Sequence, residues 1–342
     1  MSAGSQSFYK DSLKIFSRVV AVLAVAGGLS ALVGWELDSV ALKSVFPGFA
    51  TMKANTALAF ILCGVALWLF NSPVHKQNGA RVGLAGGCAA VVTLIGLFTI
   101  GEYFFGWNPG IDQFLFRDTA TVPPLHPGRP AFATALNFSL LGAAFLLMEV
   151  DTRVSRYFAQ GMGLIVFSIG FLALMGYAYH VSALYYVPAY SSMALHTAIL
   201  FVLLSLALPC AQPERGWIEM VTEEGPCGTL LRLLLPAVVL GPPIIGGVWL
   251  AWERAGLYQS RFGLALFATS NVLARQTTAD GIFTAGSGTG IWILRISTGR
   301  VRHASFESAP FSVRPPYERL RSHDVHHCEA RVAQPQRHSI PV

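Results

Sequence analysis

The chain alternates long apolar stretches with short polar ones, a pattern of membrane spans rather than of a soluble core. A helix needs about 20 mostly apolar residues to cross a bilayer. Eight stretches meet or approach that length: 15–37, 54–71, 82–104, 131–149, 157–179, 190–209, 229–251 and 260–275, the last being the shortest. One pattern recurs among them. Residues 56–66 read T-A-L-x-F-x-L-x-G-x-A, residues 134–144 read TALNFSLLGAA, and residues 197–207 read TAILFVLLSLA, with Ile199 for Leu and Ser205 for Gly. Met193 answers Met52 and Pro188 answers Pro47, whereas Pro127 stands two positions off that register. One hydrophobic helix precedes each copy, so the period predicts a repeated helical hairpin. The expected fold is an all-α integral membrane protein of about eight transmembrane helices in four hairpins. The fourth hairpin keeps only a faint echo, Gly263-Leu264-Ala265-Leu266-Phe267. The first apolar run continues through Trp35 and pairs with the first copy, so it reads as a retained span rather than a cleaved signal peptide.

Composition agrees with a bilayer as the main partner. The 342 residues are 53% hydrophobic and 12% charged, with mean hydropathy +0.52, against about 25% charged in soluble domains. The net charge of +6 does not imply nucleic acid, because much of the Lys and Arg lies in short loops and the tail. There it sets orientation. With the N-terminus inside, Lys10, Lys14, Lys76, Arg81, Arg153, Arg156, Arg215 and Arg275 fall on the cytoplasmic side. Lys43, Lys53, Arg117, Arg129, Arg254 and Arg261 fall outside. An even number of spans puts both termini in the cytoplasm. The largest outer loop is then 106–129, holding Trp107, Asp112, Arg117, Asp118 and His126. Pro236, Pro242 and Pro243 interrupt the seventh stretch and predict a kink there. Cys63, Cys88, Cys210, Cys227 and Cys328 are scattered without a C-x-x-C, which argues against a disulfide framework or a zinc site.

After Arg275 the hydrophobic periodicity stops. Residues 276–342 are rich in Arg, His, Ser, Pro and Gly and read as a disordered or aberrant tail, separate from the membrane module of 1–275. The tail's His323, His326, His327 and Cys328 are read as chance in such a composition. No nucleophile elbow, phosphate-binding loop, H-E-x-x-H or kinase signature occurs, and no cofactor is expected.

The candidate chemistry lies at helix ends, because ionisable groups in spans are expensive. Glu36, Glu102 and Glu253 end spans one, three and seven, and His180 takes the comparable place in span five. Lys53, Asn55 and His196 stand at the starts of even spans. These seven residues could line an outward-facing pocket for a ligand or ion. The plainer reading is interfacial anchoring and capping, with the carboxylates paired to nearby Lys or Arg. No spacing supports a metal.

Three segments carry a family resemblance. They are Gly34-Trp35-Glu36-Leu37-Asp38, Leu42-Lys43-Ser44-Val45-Phe46-Pro47-Gly48 and Thr51-Met52-Lys53-Ala54-Asn55-Thr56-Ala57-Leu58. Together with Arg254-Ala255-Gly256-Leu257-Tyr258 and Phe262-Gly263-Leu264-Ala265-Leu266, they resemble the membrane-embedded N-terminal region of bacterial sensor histidine kinases and diguanylate cyclases. The resemblance spans roughly residues 10–273. It implies a signal-sensing input module of a two-component system in the bacterial inner membrane, acting as a homodimer on an unknown ligand. The likeness dissolves near Ala274. No phosphoacceptor box, ATP-binding set or G-G-D-E-F run follows, so catalysis is not expected in this chain, and truncation or a frameshift would explain the tail. The alternative from another class is a small-solute transporter or channel, since repeats are frequent there. A membrane enzyme using Glu102 and His180 ranks last, because no motif supports it.

Overall fold

The computed structural model describes residues 3–46, 48–72, 78–119, 121, 126–150, 152–181, 192–214, 216–222 and 226–255. Two units divide the chain, Met1–Trp292 and Ile293–Val342, and every described residue lies in the first. The expected eighth span 260–275, the faint fourth echo, the tail 276–342, Pro47 and Pro188 lie outside the described residues.

The described residues form helices and no strand. They are α1 (Ala3–Glu36), α2 (Val40–Ser44), α3 (Ala54–Phe70), α4 (Gly79–Phe105), α5 (Phe132–Glu149), α6 (Arg153–Tyr179), α7 (Leu195–Cys210), α8 (Trp217–Thr222) and α9 (Pro226–Arg254). Four helices are long and apolar enough to cross a membrane: Phe8–Glu36 within α1, α4, α5 and α6. The helices α3 and α7, and the run Val239–Trp252 in α9, are apolar but shorter. In α9 the helix runs through Pro236, Pro242 and Pro243. Tyr179 at the end of α6 donates its hydroxyl to the Pro243 carbonyl at 2.6 Å.

Three hairpins, α1 with α3, α4 with α5 and α6 with α7, pack into a closed ring in which α3 meets α4, α5 meets α6 and α7 returns to α1. The shorter α3, α5 and α7 form the inside, where Phe60, Phe138 and Phe201 are almost wholly buried. These are the same position of the three sequence copies. Their rings meet each other at centroid distances of 4.9, 4.9 and 4.8 Å, forming one aromatic triangle. Edge-on and tilted contacts of this kind add to the gain from burial.

The outer helices repeat as well, although the sequence pattern is silent there. Gly28, Gly96 and Gly170 each face the carbonyl of the second residue of a copy. A Cβ on Gly28 would lie 2.5 Å from Ala57 O, on Gly96 2.5 Å from Ala135 O, and on Gly170 3.3 Å from Ala198 O. Small residues here let backbones meet, which is how membrane helices associate without a hydrophobic driving force between them. One repeat position further toward the opposite end, the contact is kept with its partners exchanged. Gly64 faces Ala21 O at 2.6 Å and Gly142 faces Ala89 O at 2.8 Å, while in the third hairpin Gly163 supplies the small residue against Ser205 O at 3.6 Å.

At the far end of each hairpin an aromatic donor closes the unit. Trp35 Nε1 donates to Met52 O at 2.9 Å, Tyr103 Oη to Pro130 O at 2.8 Å and Tyr177 Oη to Met193 O at 2.6 Å. Each donor stands seven residues after its packing glycine, and each acceptor four before the Thr of its copy. Three residues after each donor the chain turns left-handed, at Asp38 (φ 49°), Gly106 (φ 64°) and His180 (φ 59°). The described hairpins are thus three versions of one structural unit.

Candidate functional site

The segment between α4 and α5 bends back over the ends of α1, α3 and α4. A 3₁₀ turn, Ile111–Gln113, begins it, and Gly128 (φ 76°) turns it into α5. A side chain at Gly128 would collide with the Asp112 carbonyl. Four ties hold this cap. Phe116 stacks on Trp35 with centroids 6.2 Å apart. Asn55 Nδ2 donates to Ile111 O at 2.9 Å. Lys53 Nζ lies 2.5 Å from Asp118 Oδ2. Arg129 Nε lies 2.9 Å from Asp112 Oδ2 and 3.3 Å from Glu102 Oε2.

The Lys53–Asp118 pair is fully partnered. Thr121 receives from Lys53 at 2.8 Å and gives its own hydroxyl to Asp118 at 2.7 Å, while Thr121 N and Gly128 N donate to Asp118 at 3.2 and 3.0 Å. Burial alone would push the Asp118 carboxyl up. The hydrogen bonds from Lys53 and Thr121, the Lys53 charge and the Gly128 N–H outweigh it and hold Asp118 well below the ordinary carboxylate range.

The second cluster is not balanced. Arg129 is 3% exposed, Glu102 2% and Asp112 7%, so two carboxylates share one guanidinium away from water. Among the described residues, Glu102 Oε1, Glu102 Oε2 and Asp112 Oδ1 have no hydrogen-bond partner. The guanidinium also lies 5.3 Å from the centre of the Tyr103 ring, the ring whose hydroxyl closes this hairpin. Glu102 occupies the repeat position that is Gly34 in the first hairpin and Gly176 in the third. The scaffold therefore forms without a carboxylate there.

Of the seven residues singled out from sequence, the cap joins Lys53, Asn55 and Glu102. Glu36 is exposed at the end of α1. His180 is exposed and serves as the left-handed terminator of α6, its N–H donating to Tyr177 O at 3.3 Å. His196 takes the position of Asn55 in the third copy, but it lines a separate cleft of about 310 Å³ with Gly27, Ser30 and Leu42. Neither of its ring nitrogens has a hydrogen-bond partner among the described residues. Glu253 lies in α9, and its side chain is outside the described residues. Sequence reasoning placed Asp112, Asp118 and Arg129 in the outer loop or on the outer side without recognising them as partners of Glu102 and Lys53. The available signal was Glu102 itself, a charge at a place where the other copies carry glycine.

No known protein family matches the chain, and no curated protein or solved structure matches it either.

Proposed function

We propose that this chain is a membrane-embedded sensory module of the sensor-kinase type, in which the capped end receives the stimulus. The reading places it in the bacterial inner membrane as a homodimer of eight-span subunits with both termini cytoplasmic. The observation that carries it is the set of buried charges Lys53, Glu102, Asp112, Asp118 and Arg129, joined beneath one loop at one end of a repeated scaffold. Such a polar network adds little net stability but couples the loop to the start of α3 and the end of α4 at once. The stimulus would alter the cap, and α9 with the following segment would carry the change across the membrane. The transporter alternative is disfavoured by the Phe60–Phe138–Phe201 triangle, which fills the space among the inner helices.

The test uses the full chain in liposomes. A cysteine introduced at Asn271 reports on the segment after α9 through its labelling rate. Breaking the cap with Lys53→Met is expected to change that rate severalfold, with no flux of labelled amino acids or ions in the unmodified chain. An unchanged rate accompanied by solute flux would overturn the sensory reading in favour of transport.

A further inference from the structure

The cluster under the cap carries one negative charge too many. Arg129 answers one carboxylate, and among the described residues the charged and titratable groups on the surrounding elements do not supply a second cation, Lys43 on α2 being paired with Asp38. Tyr103 lies on the same helix, and Lys53 at the start of α3 is taken by Asp118. On the loop, Arg117 and His126 are exposed. An uncompensated charge shut away from water is strongly unfavourable, so the site must hold something positive. Three orphan oxygens, on Glu102 and Asp112, mark where it would sit. One guanidinium nitrogen, Arg129 Nε, lies 2.9 Å from Asp112 Oδ2 and 3.3 Å from Glu102 Oε2, so the two carboxyl groups converge on the same point. Two acceptors brought together there are reconciled by a hydrogen between them.

We propose that Glu102 and Asp112 form a proton-binding site, sharing one proton beside Arg129, and that the proton is the ligand the cap responds to. This inference rests on reading the capped end as the sensing site. A metal ion fits less well, because no cluster of three His, Cys, Asp or Glu exists among the described residues and Arg129 already occupies the cationic place. The proton satisfies two of the orphan oxygens, one as carrier and one as acceptor. When it leaves to the outer solvent, two anions face each other across one guanidinium. The cap, which supplies Asp112 and Arg129 to an α4 that supplies Glu102, is then pushed off. Low pH closes the cap and high pH opens it.

Infrared difference spectroscopy of the full chain in lipid tests this directly. A carboxylic-acid C=O band is expected at neutral pH, disappearing as pH is raised. Glu102→Gln and Asp112→Asn are each expected to abolish it, because the remaining carboxylate then pairs one to one with Arg129. If Glu102→Gln fails to fold, Asp112→Asn carries the measurement. In parallel, labelling of a cysteine placed at Phe116, taken relative to the same cysteine in the denatured chain at each pH so that the thiol's own ionisation cancels, should accelerate with rising pH by up to about tenfold per unit, the limit for release of one proton, and should lose that dependence in both variants. Absence of the band at neutral pH, its survival in both variants, or cap closure that follows sodium concentration instead of pH would overturn the proposal. The two readings fail separately. A band without any response of the Asn271 label to pH leaves the proton site and removes the sensor. A response to Lys53→Met without the band does the reverse.

Discussion

Lys53 and Asp118 give the residue scale its sharpest expectation. Both are buried, and Asp118 accepts from two backbone N–H groups besides its two side-chain partners. Lys53→Met removes the buried ammonium that pairs with that carboxylate, and removing one partner of a buried pair costs about 3–5 kcal/mol. Lys53→Met with Asp118→Asn should recover part of the loss, since the unpaired charge is gone while an acceptor remains for the loop N–H groups. A double-mutant cycle on thermal unfolding in detergent measures the coupling, and equal losses in the single and double variants would contradict it. The pH sense follows from the lowered Asp118 value. Its stabilising contribution is complete above about pH 4, the ordinary value for Asp in an unfolded chain, and is lost as pH falls through the lower folded-state value. The tie between Lys53 and the cap therefore weakens only in strong acid. It works in the opposite sense to the Glu102–Asp112 pair, which loosens toward alkaline pH.

At the scale of elements, the hairpin is the unit, and its tolerance is set by backbone contact. At Gly96 a methyl group would meet Ala135 O at 2.5 Å and Ser139 N at 2.6 Å, neither of which can swing away. Gly96→Ala should therefore force α4 and α5 apart and cost about 1–3 kcal/mol, the range for overpacking. Gly83 lies on the same helix with nothing within 4 Å, so Gly83→Ala should stabilise by up to about 1 kcal/mol. Comparing the two by chemical denaturation separates contact from helix propensity, which favours Ala at both sites. Sequence made this unit only half legible. The copies on α3, α5 and α7 could be read because most positions of those helices are buried against protein and so constrained, with exceptions such as Ile199 and Leu206. The outer helices spend much of their surface facing outward, where any apolar residue serves, so only the small residues, the aromatic donor and the left-handed terminator repeat. Their types also vary: Trp35 stands for Tyr, and Asp38 and His180 stand for Gly. The same substitution made His180 look like a site candidate when its backbone conformation accounts for its place. Glu102 was legible as an isolated charge, but its partners lay in a loop with no periodicity to align it.

At the scale of the whole molecule, the ring closes around the aromatic triangle, and that closure sets what the bundle can transmit. Each of Phe60, Phe138 and Phe201 comes from a different hairpin, so the triangle is the place where all three units meet directly. Phe138→Ala removes both of its ring contacts and leaves a void that rigid helices cannot close, a loss of about 3–5 kcal/mol by analogy with large-to-small core changes. Phe98, 40% exposed on the outer face of α4, provides the contrast. Phe98→Ala should cost less, since its ring is already partly exposed and rests on the half-exposed Trp107 at a centroid distance of 6.1 Å rather than in the core. The more telling readout is cooperativity. With the triangle intact, a cysteine placed at Phe116 on the cap and one placed at Gln212 beyond α7 should become accessible together as denaturant is raised. With Phe138→Ala the hairpins should open at different concentrations, because the contact that makes them one body is gone. If both labels still move in a single transition, the hairpins are coupled through their outer seams instead, and a change at the cap would reach the opposite end by way of neighbouring helices rather than through the centre.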